Sequence, residues 1–132
     1  MMAGKILIVD DDREMVELIE LFLRNAGFVT ISAFSGEEAL EKAFHKKPDL
    51  VLLDIMMPRI DGWEVLRRIK NDPEARNIPV AFITARTQNI DKMIGLSVMK
   101  AAGYITKPFS KQELLSEVRR ILDERGGGAQ SP

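Results

Sequence analysis

Three aspartates in a row, Asp10, Asp11 and Asp12, follow the apolar run at 6–9. A fourth, Asp54, ends a second apolar run at 50–53. Thr84 ends a third at 80–83, and Lys107 stands just past Ile105. A turn needs one or two acids, and a solubilising tail would not be joined to a core strand, so the crowding has another cause. Unpaired carboxylates about 4 Å apart repel by roughly 4 kcal/mol per pair at an effective dielectric near 20. Asp10, Asp11 and Asp54 set against Lys107 leave negative charge in excess. A divalent cation would balance it, and an all-oxygen donor set suits Mg²⁺ or Mn²⁺ better than zinc. A carboxylate beside such an ion can act as a nucleophile towards phosphorus, giving an aspartyl phosphate. Lys107 would then offer a compact positive charge, and the Thr84 hydroxyl a hydrogen bond, to the transferred group.

These residues meet only if the elements that carry them end on one edge. Short apolar runs at 6–9, 28–32, 50–53, 80–83 and 104–105 read as strands, and three are apolar almost throughout, as in parallel strands covered on both faces. Amphipathic stretches lie between them. Met15, Leu18, Ile19 and Phe22 keep helical spacing, as do Ala39, Leu40, Ala43 and Phe44. Trp63, Leu66 and Ile69 mark a third helix, and Leu114, Leu115, Val118, Ile121 and Leu122 a last one. Residues 89–102 also read as helical, with apolar residues on more than one side. Ser35 with Glu38 and Ser110 with Glu113 are capping boxes, and Asp61 with Glu64 is a looser version. Gly27 ends the first helix and Pro48 sits just past the second.

Strands alternating with helices predict an α/β fold with a doubly wound parallel sheet of five strands and five helices. In such sheets ligands bind at the carboxyl ends of the strands, near the topological switch point. Asp10, Asp11, Asp54, Thr84 and Lys107 all fall there.

Bulk composition narrows the function. At 132 residues the chain fits one domain, and its net charge of −1 gives no case for nucleic-acid binding. With no cysteine, thiolate catalysis and zinc–thiolate sites are out. No run reaches the roughly 18 apolar residues of a membrane span, and no signal-peptide core is visible, so the expected location is cytoplasmic. Residues 126–132 are Gly-rich, which divides the chain into a domain at 1–124 and a flexible tail or linker start at 125–132.

The segments "ILIVDDD", "DLVLLDIMMPRIDGWEVL", "PVAFITA" and "GYITKPF", in that order and at fitting separations, resemble the receiver domain of bacterial two-component response regulators, over about residues 4–124. The resemblance implies a flavodoxin-like sheet of strand order 2-1-3-4-5. It implies phosphoryl transfer onto Asp54 from the phosphohistidine of a sensor histidine kinase or phosphotransfer protein, and a conformational switch read by a downstream protein target. By the same resemblance Asp11 ligates Mg²⁺ directly, Asp10 acts chiefly through a coordinated water, and Asp54 and the backbone carbonyl of Met56 complete the protein ligands. Thr84 and Lys107 contact the phosphoryl group, Tyr104 changes rotamer on activation, and the Lys107–Pro108 bond is cis. Met56 and Arg86 occupy the positions that tune dephosphorylation. Such a module is not an enzyme beyond its own phosphorylation and dephosphorylation.

One region departs from the family pattern: "SVMKAAG" at 97–103 stands where receivers often carry a Gly-Ala-Asp-Asp-like run. Two other readings compete. A pseudo-receiver would keep the fold as a phosphorylation-independent binding module. A haloacid-dehalogenase-like phosphatase shares the Asp nucleophile, Thr, Lys and Mg²⁺, but places a second acid two residues after the nucleophile, where this chain has Met56. Asp12 is read as serving the first helix's N-terminus, where negative charge is favourable. His45 is read as a solvated helix residue, and the methionines and Trp63 as packing.

Overall fold

The computed structural model describes residues 4–85 and 101–130, with side chains through residue 124. In chain order the elements are β1 (Lys5–Val9), α1 (Arg13–Asn25), β2 (Val29–Ala33), α2 (Gly36–Lys46), β3 (Leu50–Asp54), α3 (Gly62–Asn71), β4 (Val80–Ala85), β5 (Gly103–Lys107) and α4 (Lys111–Gln130). All strand pairs are parallel, in the order β2-β1-β3-β4-β5. That is the architecture and strand order expected.

Alternation along the strands builds two cores from one sheet. Leu7 and Val9 of β1, Val51 and Leu53 of β3, and Val80 and Phe82 of β4 face one side, against Ala39, Leu40 and Ala43 of α2 and Val65, Leu66 and Ile69 of α3. Ile6 and Ile8, Leu50 and Leu52, and Ala81 and Ile83 face the other. There they meet Val16, Ile19 and Leu23 of α1 and Leu114, Leu115, Val118 and Ile121 of α4. Each such large side chain, fully buried, contributes about 1.5–3 kcal/mol. The central strands therefore have no polar face, and polar residues appear only where they end.

Caps set the helix limits. Asp12 accepts from the Glu14 and Met15 amides at 3.1 and 3.3 Å, as its expected helix-capping role requires. Ser110 and Glu113 form a reciprocal box, with the Glu113 amide on Ser110 Oγ at 3.0 Å and the Ser110 amide on Glu113 Oε1 at 2.8 Å. Asp61 accepts from the Glu64 amide at 3.0 Å, while Glu64 turns to Arg67 and Arg68, so only half of that box forms. At the end of α1, Gly27 takes φ 97°, and the Gly27 and Phe28 amides bond back to Arg24 and Leu23 at 3.0 Å, a Schellman stop.

Three differences from the sequence reading stand out. The helix expected at 89–102 falls almost wholly outside the described residues; Ala101 and Ala102 are non-helical, and four helices are described. β5 is longer than 104–105, because its register against β4 runs from Ala81↔Gly103 to Ala85↔Lys107. Helix α4 continues past 124 to Gln130 through the glycines of the expected tail. Once a helix is nucleated, each added residue gains a hydrogen bond, so poor formers can be carried along.

Candidate metal and phosphoacceptor site

Sheet register brings the polar residues together. Val9 pairs with Leu53, so Asp10 and Asp54, one residue further on, leave the sheet side by side. Asp54 is level with Ile83, and Thr84 follows Ile83 on β4. Ala85 is level with Lys107, the last residue of β5. Four non-contiguous residues, Asp10, Asp54, Thr84 and Lys107, thus share one edge through pairing alone, and Asp11 follows Asp10.

The three acidic side chains converge, with Lys107 against two of them. Asp10, Asp11 and Asp54 each offer a carboxylate oxygen, and these atoms lie within 4.8 Å of one another. Asp10 is 2% exposed and Asp54 7%, whereas Asp11 faces solvent. Asp10 is oriented from both sides. Its Oδ1 accepts the Asp12 amide at 3.0 Å, and its Oδ2 receives Lys107 Nζ at 2.9 Å. Lys107 Nζ also lies 3.7 Å from Asp54 Oδ1. Thr84 is 7% exposed, and among the described residues its hydroxyl makes a long 3.4 Å contact to the Ala85 carbonyl, a weakly held donor.

The electrostatics record the imbalance. Burial and then the charge of Asp10 push the Asp54 carboxyl up to about 6, with Asp11 adding to the rise. Lys107 and a hydrogen bond from the Met56 backbone oppose it without cancelling it. For Lys107, burial works to lower the pKa, but the Asp10 hydrogen bond and the nearby carboxylates outweigh it and hold the ammonium charged. Among the described residues, the one ammonium against these acids is too little for three converging carboxylates. Oxygen-only donors at this spacing match a small hard dication, whose bonds of about 2.0–2.1 Å place opposite ligand oxygens about 4 Å apart. The residues present fit such an ion.

Other predicted residues fall around this centre. Met56 is 63% exposed just past β3, with Met57 behind it buried. Tyr104 lies on β5, level with Phe82 and 37% exposed. The Lys107–Pro108 bond is cis. Arg86 and the stretch 97–100 lie outside the described residues.

Sequence reasoning missed two supports. A Cβ on Gly62 would lie 2.5 Å from the Asp54 carbonyl oxygen and 2.8 Å from the Ile55 Cα, while the Gly62 amide donates to the Ile55 carbonyl at 2.8 Å. Helix α3 therefore starts in contact with the backbone of the acceptor strand, and only glycine fits. Arg13 lies over the Phe34 ring, 4.0 Å from its centroid, and so is drawn off the acids it follows in sequence. The Asp-Gly pair before "WEVL" was a visible hint of the first; the second had no local signal.

A doubly wound sheet with three acids and a lysine at its carboxyl edge defines a receiver module, a signalling unit rather than a conventional enzyme. The chain belongs to the response regulator receiver domain family, which its residues 6–119 match. It is similar to the alkaline phosphatase synthesis transcriptional regulatory protein PhoP of Bacillus subtilis, at 41% identity over 92% of this chain and 49% of that protein. The chain thus spans about half the length of that curated relative. Among solved structures it resembles the N-terminal domain of a response regulator receiver protein from Methanoculleus marisnigri, at 41% identity and TM-score 0.75, covering 90% of this chain and 96% of that one. It also resembles the Vibrio cholerae chemotaxis protein CheY4, at 26% identity and TM-score 0.85, covering 91% and 99%. Among the described residues no helix is long and apolar enough to cross a membrane.

Proposed function

We propose that this receiver accepts a phosphoryl group on Asp54 from the phosphohistidine of a sensor histidine kinase or phosphotransfer protein, and that the new charge shifts its conformation towards binding a downstream protein. The observation that carries the reading is the buried Asp54 carboxylate, set beside Asp10 and Asp11 and 3.7 Å from Lys107 Nζ. In the transfer an Asp54 oxygen forms the new O–P bond as the P–N bond of the phosphohistidine breaks, and the imidazole leaves with the bonding pair. Asp11, Asp54 and the Met56 carbonyl would hold Mg²⁺, with Asp10 acting through a water. Bound there, the ion would neutralise charge on the phosphoryl oxygens.

The chain's own residues do the rest. Lys107 would turn from the carboxylates towards the phosphoryl oxygens, and the weakly held Thr84 hydroxyl would donate to another. Tyr104 would follow that movement along β5. Residues 1–124 would be the signalling unit. Incubation with acetyl phosphate followed by intact-mass measurement tests the reading. A single phosphoryl adduct is expected that needs both Mg²⁺ and Asp54, and is absent in Asp54→Asn. An adduct that survives in Asp54→Asn would refute it. No adduct with acetyl phosphate or with phosphorylated kinase domains would favour the binding module.

A further inference from the structure

The loop between β3 and α3 carries Met56, and what holds that loop in place comes from a different part of the chain. Gly36, the first residue of α2, is buried, and a Cβ there would lie 2.7 Å from the Ile60 carbonyl oxygen and 2.8 Å from the Ile60 Cβ. The next residue, Glu37, accepts from Arg59 Nε at 3.0 Å. Arg59 itself has φ 66°, the left-handed region that an arginine rarely adopts. A strained residue persists where its surroundings over-determine it. Here the close contact is Ile60 seated against Gly36, and the solvent-exposed Arg59–Glu37 pair adds a weaker tether beside it. At the far end the same loop is closed by Gly62 against Asp54 and Ile55.

We propose that the first turn of α2 is a positioning element for the metal site: Gly36 and Glu37 seat Ile60 and Arg59, and thereby fix the loop that carries Met56. Neither α2 residue is one of the proposed ligands. They act through the loop, as outer supports act on a metal-binding group, and the inference rests on the metal site proposed above. Any side chain at position 36 pushes the Ile60 backbone outward, and the displacement passes along the short loop to Met56.

The test is Mg²⁺ titration followed by fluorescence of Trp63, the sole tryptophan, which lies on α3 with its ring 4.7 Å from that of Phe82. Thermal unfolding in chelator is measured beside it. Gly36→Ala is expected to weaken Mg²⁺ binding about tenfold, the lower end for loss of an outer support. Arg59→Gln adds a test of sign. Removing a positive charge would by its field alone tighten cation binding, whereas loss of the tether weakens it. Wild-type affinity in Gly36→Ala, or tighter binding in Arg59→Gln, overturns the proposal even if the metal-free melting temperature falls. If Gly36→Ala does not fold, Arg59→Gln decides. Absence of Mg²⁺ binding in the wild-type protein would instead overturn the metal site itself, and with it this inference.

Discussion

Asp54 is the residue whose environment conflicts most with its charge. In the unfolded chain it ionises near 3.8, and in the fold near 6. Between those values the folded state keeps a proton that the unfolded state has lost, so stability falls as pH rises through that window. In chelator, Asp54→Asn should be more stable than the wild type above about pH 6, on the order of 2–3 kcal/mol, with the gap closing below about pH 4. Urea unfolding at several pH values checks this; an advantage independent of pH would remove the carboxyl as its source. Met56 gives a second prediction. An exposed thioether cannot orient an attacking water as an amide can, so Met56→Asn should shorten the phosphoryl lifetime several-fold, read by loss of the adduct over time. Asp10, Asp54 and Thr84 were legible in sequence because each ends an apolar run, and Asp11 and Lys107 because they lie just beyond one. The strained Arg59 and the Arg13–Phe34 contact were not, since neither backbone angle nor a partner on another element leaves a local trace.

Among the elements, the short loops matter as much as the helices. Gly62→Ala should destabilise the protein by about 1–3 kcal/mol, because overpacking at a backbone contact forces the chain to move. It should also impair adduct formation, since the atom it strikes is the Asp54 carbonyl oxygen. Thermal melts and intact mass report the two effects separately; an unchanged melting temperature would show that α3 shifts without penalty. Ser110→Ala removes one half of the α4 box and should lose about 1 kcal/mol with little effect on the site. Helices α1 to α4 were legible from spacing and caps. The full length of β5 was not, because "GYITK" is made a strand by pairing with β4 rather than by its own pattern. The extension of α4 into "GGGAQ" ran against propensity, which a preceding helix can override.

At the scale of the whole molecule, the sheet orders the chemistry by register. Apolar runs told the fold class, and the two-sided core shows why: Ile6 and Ile8 serve one face while Leu7 and Val9 serve the other. Strand order does not follow from such patterning, since each central strand is apolar on both faces and would fit any interior place; it came through the family resemblance. The bond between Lys107 Nζ and Asp10 Oδ2 joins residues 97 apart. On the ribosome, Asp10, Asp11 and Asp54 all emerge before the lysine that offsets them has been translated. The acids are thus made before the partner that offsets them, and the ion pair waits for β5, the last strand of the sheet.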